Sequence, residues 1–234
     1  MIKNLNIIIT GTSSGIGLKL AQNFLKNGNK VWGCSRKKGT IKEQNYFHTQ
    51  LDLSDSYQIE KWIKKIEKEI NNKIDIFISN ASIFQRRLNS LDSHNSIIKT
   101  VNVNLIASML LTNMISKFMI QNKKGLIIFF SSVASIVNEI GSTTYASSKS
   151  GLETFGQIIK KELEKFNIKV ATFRILHIPT ALSNELSENE IKTLKSKFNT
   201  DKFGTIDKIF NEINNLYNIK NLPGNNLFCD ELKK

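Results

Sequence analysis

Cysteine and histidine are scarce in this chain: two and three among 234 residues. Cys34 and Cys229 stand far apart with no CxxC spacing, which fits buried thiols and argues against a disulfide or a thiolate metal pair. His48, His94 and His177 lack carboxylate or cysteine neighbours at metal-ligand spacing, so no bound metal is expected. Long apolar runs are missing too, since no segment supplies the roughly 20 apolar residues that cross a bilayer. The opening MIKNLNIIIT runs straight into a strand-like pattern. A secretory signal would need a longer apolar region and a small-residue cleavage site. The expectation is a soluble cytoplasmic protein without a membrane partner. Linkers, low-complexity tracts and internal repeats are absent, so 1–234 is read as one domain, of a length common for one α/β unit.

Acidic residues are the last shortage, 20 against 33 lysines and arginines, which leaves a formal charge of +13. One reading is an anionic partner: nucleic acid, acidic membrane surface, phosphorylated cofactor or acidic substrate. The other is lysine filling solvated faces, and the segment 59–70 illustrates it. Ile59, Ile63, Ile66 and Ile70 form an apolar stripe there, while Glu60, Lys64, Glu67 and Lys68 mix both signs elsewhere on the helix. No basic run interleaves with aromatics as a nucleic-acid surface does, so no nucleic-acid partner is expected.

What the chain does have is a regular alternation. Apolar or β-branched runs at 5–9, 30–34, 47–51, 74–79, 126–131, 169–175 and 226–229 predict strands. Between them, 15–27, 55–71, 92–121, 145–166 and 205–218 predict helices, with a weaker one near 188–197. Repeated βαβ units imply a seven-stranded parallel sheet with helices on both faces, a doubly wound α/β fold of Rossmann type. Strands as continuously apolar as GLIIFF (125–130) fit burial on both sides, and Gly28 with Asn29 closes the first helix.

The first strand leads into Thr10-Gly11-Thr12-Ser13-Ser14-Gly15-Ile16-Gly17 and then the amphipathic LKLAQNFLKNG. Glycines at such a turn let backbone approach a pyrophosphate, and the helix N-terminus offers unpaired N–H groups to it. The spacing TGxxxGxG resembles that of the short, single-domain short-chain dehydrogenases/reductases. The resemblance implies cofactor contacts from Gly11, Ser13, Ser14, Gly15, Ile16 and Gly17. A carboxylate ending the second strand would favour NAD by binding the ribose 2′-hydroxyl. This chain has Ser35-Arg36-Lys37-Lys38 there instead, and Arg36 is suited to clamp a 2′-phosphate through its planar fork. NADP(H) is therefore favoured over NAD(H), with Ser35 and Arg36 as contacts. Asp52-Leu53 matches the family's pair beside the adenine, although Asp52 serves equally well as a helix N-cap.

Tyr145-Ala146-Ser147-Ser148-Lys149 opens the helix after LIIFFS, and residues four apart share a helical face. A phenol with a free pKa of about 10 is a poor base at neutral pH, and a neighbouring ammonium favours its ionised form. By resemblance Tyr145 is the general acid/base and Ser132 binds the substrate oxygen. Lys149 tunes Tyr145 and binds the nicotinamide ribose, and Asn104 holds a water in a proton relay. Asn80 and Ala81 border the cofactor, and Thr180 falls where the family's threonine meets the carboxamide. The pattern is departed from at Ser82, where the family has glycine, at Ile175-Leu176 in place of Pro-Gly, and at Asp230-Glu231 in place of a glycine-rich end. The implied activity is hydride transfer between NADP(H) and a small carbonyl or secondary alcohol. Similarity to 3-oxoacyl-carrier-protein and polysaccharide-pathway reductases suggests an acyl or sugar-derived carbonyl, contacted by the stretch 181–202 and by Arg86 and Arg87, which serve equally well as solvated side chains. The competing reading is an inactive, cofactor-binding structural or regulatory protein, against which the intact Asn104, Ser132, Tyr145 and Lys149 argue. Family analogy has helices 92–121 and 145–166 packing in a homodimer or homotetramer.

Overall fold

The computed structural model describes residues 1–70, 72–175 and 205–220, the backbone of 227–229, and positions 192 and 196. Seven strands form one sheet: β1 Asn6–Thr10, β2 Lys30–Ser35, β3 Tyr46–Gln50, β4 Ile76–Ser79, β5 Gly125–Ser132, β6 Ile168–Ile175 and β7 Leu227–Cys229. Their order is β3-β2-β1-β4-β5-β6-β7, and every ladder is parallel. The helices are α1 Gly15–Lys26, α2 Ser56–Ile70, α3 His94–Val101, α4 Ala107–Asn122, α5 Ala134–Val137, α6 Thr143–Glu164 and α7 Ile206–Asn218. The chain winds from β1 toward β3 on one side and from β4 toward β7 on the other. β1 and β4 therefore flank the switch point, whose crevice opens at the strands' carboxyl ends.

Alternate residues of a strand face opposite ways, and the two faces sort into two cores. Ile8, Phe77, Ile127 and Phe129 join α2, α4 and α6 through Ile59, Ile63, Ile66, Leu111, Ile115 and Leu152. Their neighbours Ile7, Ile9, Ile76, Ile78, Leu126, Ile128 and Phe130 join α1 and α7 through Leu20, Phe24, Ile209, Phe210 and Ile213. Both faces of the central strands are thus dry, as their unbroken apolar runs imply. Gly28 ends α1 in a left-handed conformation, φ 77°, and Asn29 beside it is fully buried. The Asn29 amide accepts from Leu5 N and donates to Ile2 and Phe24 carbonyls. Asp55 caps α2 by accepting from Tyr57 N and Gln58 N, so Asp52 does not cap it.

The expected helix 92–121 is continuous from His94 to Asn122 but widens into a π-turn at Asn102–Ile106. By length and composition this 29-residue run is apolar enough to cross a bilayer. Its apolar side is committed elsewhere, with Leu111, Ile115 and Met119 buried in the core. The short α5 was not read from sequence, and the weak helix near 188–197 falls, apart from two positions, outside the described residues.

Candidate active site

Glycines shape the turn between β1 and α1. Gly11 and Gly15 have φ of 76° and 58°, a region that side chains rarely adopt. At Gly17 the reason is space: a Cβ would lie 2.3 Å from the Gly11 carbonyl oxygen and 2.4 Å from Asn80 Nδ2. Asn80 braces the turn by donating to the carbonyls of Thr10 at 2.8 Å and Gly11 at 3.3 Å. Thr10 Oγ1 reciprocates, accepting from the N–H groups of Asn80 and Ala81. Thr12, fully buried, accepts from Tyr46 Oη at 2.7 Å and fastens the turn to β3. Ser14 makes no side-chain cap and the first turn of α1 has no acid. Its N–H groups and positive helix end are thereby left for an anion. Ser13, Gly15 and Ile16 are half-buried beside it, and Ser14 is exposed. This cradle fits a dinucleotide's phosphates.

The edge next to the turn carries no acid on β2. Ser35 ends that strand, its hydroxyl donating to the Lys37 carbonyl and lying 2.8 Å from His48 Nε2. Arg36, Lys37 and Lys38 follow as three exposed cations. Asp52 sits on the far side, bound by Lys99 Nζ at 3.0 Å and by Ser54. Burial pulls its pKa up, but the Ser54 N–H and Lys99 pull harder, leaving it below the usual carboxylate range. Leu53 is buried.

Asn80–Ile83 leads from this cradle to the second group of residues. Asn104, 1% exposed and set inward by the π-turn, accepts from Ile83 N at 2.8 Å and Ser82 Oγ at 3.1 Å. Its amide donates to the Ile83 carbonyl at 2.9 Å and Ser148 Oγ at 3.1 Å. A widened turn re-aims a side chain in this way, and Asn104 here clamps the β4 exit to α6. Tyr145 lies in that clamp, buried, with Phe84 edge-on at 4.9 Å. Burial raises the phenol's pKa, and the Ser132 and Ser82 hydroxyls, which face it as hydrogen-bonding partners, draw it back. Ser132 ends β5, where the ladder to β6 pairs it with Ile175.

Lys149, one turn beyond Tyr145, is 3% exposed. Its Nζ donates to the Phe130 carbonyl at 2.7 Å and stands 5.7 Å from the Tyr145 ring centre. The ammonium thus points to the end of β5, and burial is the largest influence on the phenol's titration. Burial also brings the Lys149 pKa down to about 8, opposed by the Glu153 carboxylate. Tyr145, Lys149, Ser132 and Asn104 converge as read from sequence, and Asn80 and Ala81 border the same crevice. Ser82, Thr10, Thr12 and Glu153 went unread. For Ser82 the signal was present as a hydroxyl where the pattern has none. Thr180 and most of 181–202 lie outside the described residues, while Arg87 is exposed and 3.8 Å from Asp92.

A sheet with this order, a glycine cradle at its switch point and a tyrosine–lysine pair on α6 define a dinucleotide-type oxidoreductase scaffold. The chain belongs to the short-chain dehydrogenase family, whose model matches residues 5–191. It is 29% identical over 212 residues to a 3-oxoacyl-[acyl-carrier-protein] reductase of Buchnera aphidicola, covering 86% of this chain and 85% of the relative. The corresponding reductase of Chlamydia pneumoniae is 27% identical over 192 residues, 78% and 77% of the two chains. The structure of 4-hydroxyisoleucine dehydrogenase complexed with NADH superposes with a TM-score of 0.85 at 25% identity, covering 97% of this chain and 96% of that one.

Proposed function

We propose that the protein is a reductase using NADP(H) on a carbonyl or secondary-alcohol substrate, with Tyr145 as general acid/base. One observation carries the reading: the Tyr145 phenol, the Ser132 hydroxyl and the Lys149 ammonium are gathered at the crevice that the glycine cradle borders, with Asn80–Ile83 joining the two. When bound, a nicotinamide supplies the hydride or accepts it. Gly11, Ser13, Ser14, Gly15, Ile16 and Gly17 would hold its phosphates, with Asp52, Leu53, Asn80, Ala81, Lys149 and Thr180 along the remainder. The absence of an acid after β2 and the three exposed cations there support a 2′-phosphate, with Ser35 and Arg36 beside it.

In the reducing direction the Tyr145 Oη proton moves to the carbonyl oxygen as that oxygen gains negative charge, while Ser132 Oγ donates to the same oxygen. The phenolate so formed can take a hydrogen bond from Ser82. The raised phenol pKa keeps the proton in place at neutral pH, ready for donation. Lys149 stays charged below about pH 8, so the rate should fall as pH rises through that value. The similarity to 3-oxoacyl reductases supports an acyl substrate, and packing of α4 and α6 into a homodimer or homotetramer is the assembly that family analogy implies. The test is NADPH oxidation with a panel of keto-acyl and keto-sugar compounds, using Tyr145→Phe as control. Turnover abolished by the substitution is expected; tight cofactor binding with no turnover of any compound would overturn the reading.

A further inference from the structure

Next to the catalytic group lies a buried charge cluster that the proposed chemistry does not use. Glu153, one turn beyond Lys149 on α6, is 7% exposed and receives four donors. Its Oε1 accepts from Ser131 Oγ and Ser135 Oγ, each at 2.7 Å, and from Arg174 Nε at 3.0 Å. Its Oε2 accepts from Arg174 Nη2 at 2.6 Å. The guanidinium comes from the end of β6, and its side chain is 13% exposed. A charge so placed at the end of a largely buried strand is costly unless paired.

The cluster's partners are the site's neighbours. Ser131 precedes Ser132 on β5, and Ser135 Oγ also lies 2.7 Å from the Ser132 carbonyl. A single hydroxyl proton serves one acceptor at a time, so the carboxylate and the Ser132 carbonyl share Ser135. Around Lys149 Nζ, the described neighbours that bear on its charge are the Phe130 carbonyl from β5, the Tyr145 ring and Glu153 from its own helix, and Arg174 from β6 through Glu153. Asn104, across the π-turn, reaches α6 through Ser148 and is uncharged.

We infer that Glu153 and Arg174 are positioning residues of the reaction: one buried carboxylate, divided between the serine end of β5 and the guanidinium of β6, fixes the Ser132 turn and stands one helical turn from the Lys149 ammonium as its counter-charge. Its catalytic meaning rests on the oxidoreductase reading above. The physical consequence is an opposition of sign. Removing the carboxylate takes a counter-charge from Lys149, whereas removing the guanidinium gives Lys149 a larger share of it.

The test uses the cofactor-free protein with 13C-labelled lysine, the Lys149 resonance being assigned by its loss in Lys149→Met. Glu153→Gln should lower the Lys149 titration midpoint by about one pH unit, and Arg174→Gln should raise it by a similar amount. The alkaline limb of kcat should follow both movements, with KM little changed. A girder that merely tied β6 to α6 would lower thermal stability without moving the midpoint. Midpoints that stay put, or that move in the same direction, overturn the inference. If Glu153→Gln fails to fold, because the guanidinium is left buried without its partner, Arg174→Gln decides alone, and a midpoint that does not rise refutes the inference. Opposite movements in a protein that turns over no carbonyl compound would sink the oxidoreductase reading and leave Glu153 standing as the counter-charge of Lys149; turnover with unmoved midpoints would do the reverse.

Discussion

Replacing Gly17 with alanine sets two effects against each other. In a helix interior alanine is favoured over glycine by about 1 kcal/mol, so propensity alone predicts a more stable protein. The surroundings say otherwise. The new methyl would sit 2.3 Å from the Gly11 carbonyl oxygen, 2.4 Å from Asn80 Nδ2 and 3.0 Å from the Gly11 carbonyl carbon. Two of these atoms are backbone, and the third is held in place by bonds to Thr10 and Gly11. Relieving the clash costs about 1–3 kcal/mol as for other overpacked sites, and displacing Asn80 forfeits hydrogen bonds worth about 1 kcal/mol each. The clash should win by about 2–4 kcal/mol, a drop in Tm of about 4–16 °C for a chain of this length. Thermal unfolding followed by circular dichroism measures it, and a nucleotide titration of the same variant should show weakened binding, since the cradle itself is displaced. A Gly17→Ala protein that melts at or above the wild-type temperature refutes the steric argument and leaves helix propensity as the deciding term.

Two further substitutions probe the polar parts of the site. Arg36→Ala should weaken NADPH binding about tenfold or more while leaving NADH binding nearly unchanged, because a charge-assisted bond to the 2′-phosphate is worth about 1.5–3 kcal/mol; equal losses in calorimetric titrations of the two nucleotides would refute the assignment. Ser82→Ala removes a hydroxyl that holds the Tyr145 pKa down, so the acidic limb of alcohol oxidation should move to higher pH. Stability should change little, since Asn104 keeps its bonds to the Ile83 backbone, and an unmoved limb would show that Ser82 does not serve the phenolate.

The parts that could be read in advance are those governed by periodicity or by a short motif. The apolar runs of the central strands could be read because burial on both faces leaves no room for polar alternation. Tyr145 and Lys149 met because helical spacing fixes them one turn apart. The π-turn at Asn102–Ile106 left no mark in composition, since a π-turn and an α-turn there would carry the same NVNLI. The orientation of the Lys149 ammonium was equally hidden, because it depends on the Phe130 carbonyl 19 positions away. Arg174 did leave a trace as a cation at the end of a strand rich in apolar residues, yet naming its partner required the fold that brings α6 alongside β6.

The two departures from the family pattern at the site share a physical result. Ser82, standing where the pattern has glycine, gains a hydroxyl that bonds Asn104 and faces Tyr145. Ile175, standing where the pattern has proline, continues the β5–β6 ladder to its pairing with Ser132, and its carbonyl accepts from Val133 N at 3.0 Å. A proline at 175 would bring no N–H to the side of β6 that faces β5, so the ladder would stop short of the serine. Arg174, immediately before it, then pins the same strand end to Glu153 on α6. Each change adds a bond between the strand ends and the residues around Tyr145. The two substitutions together make the general acid's surroundings stiffer and more polar. A phenol kept protonated by burial needs such surroundings, because its ionised form must be stabilised by fixed donors at the moment the proton leaves.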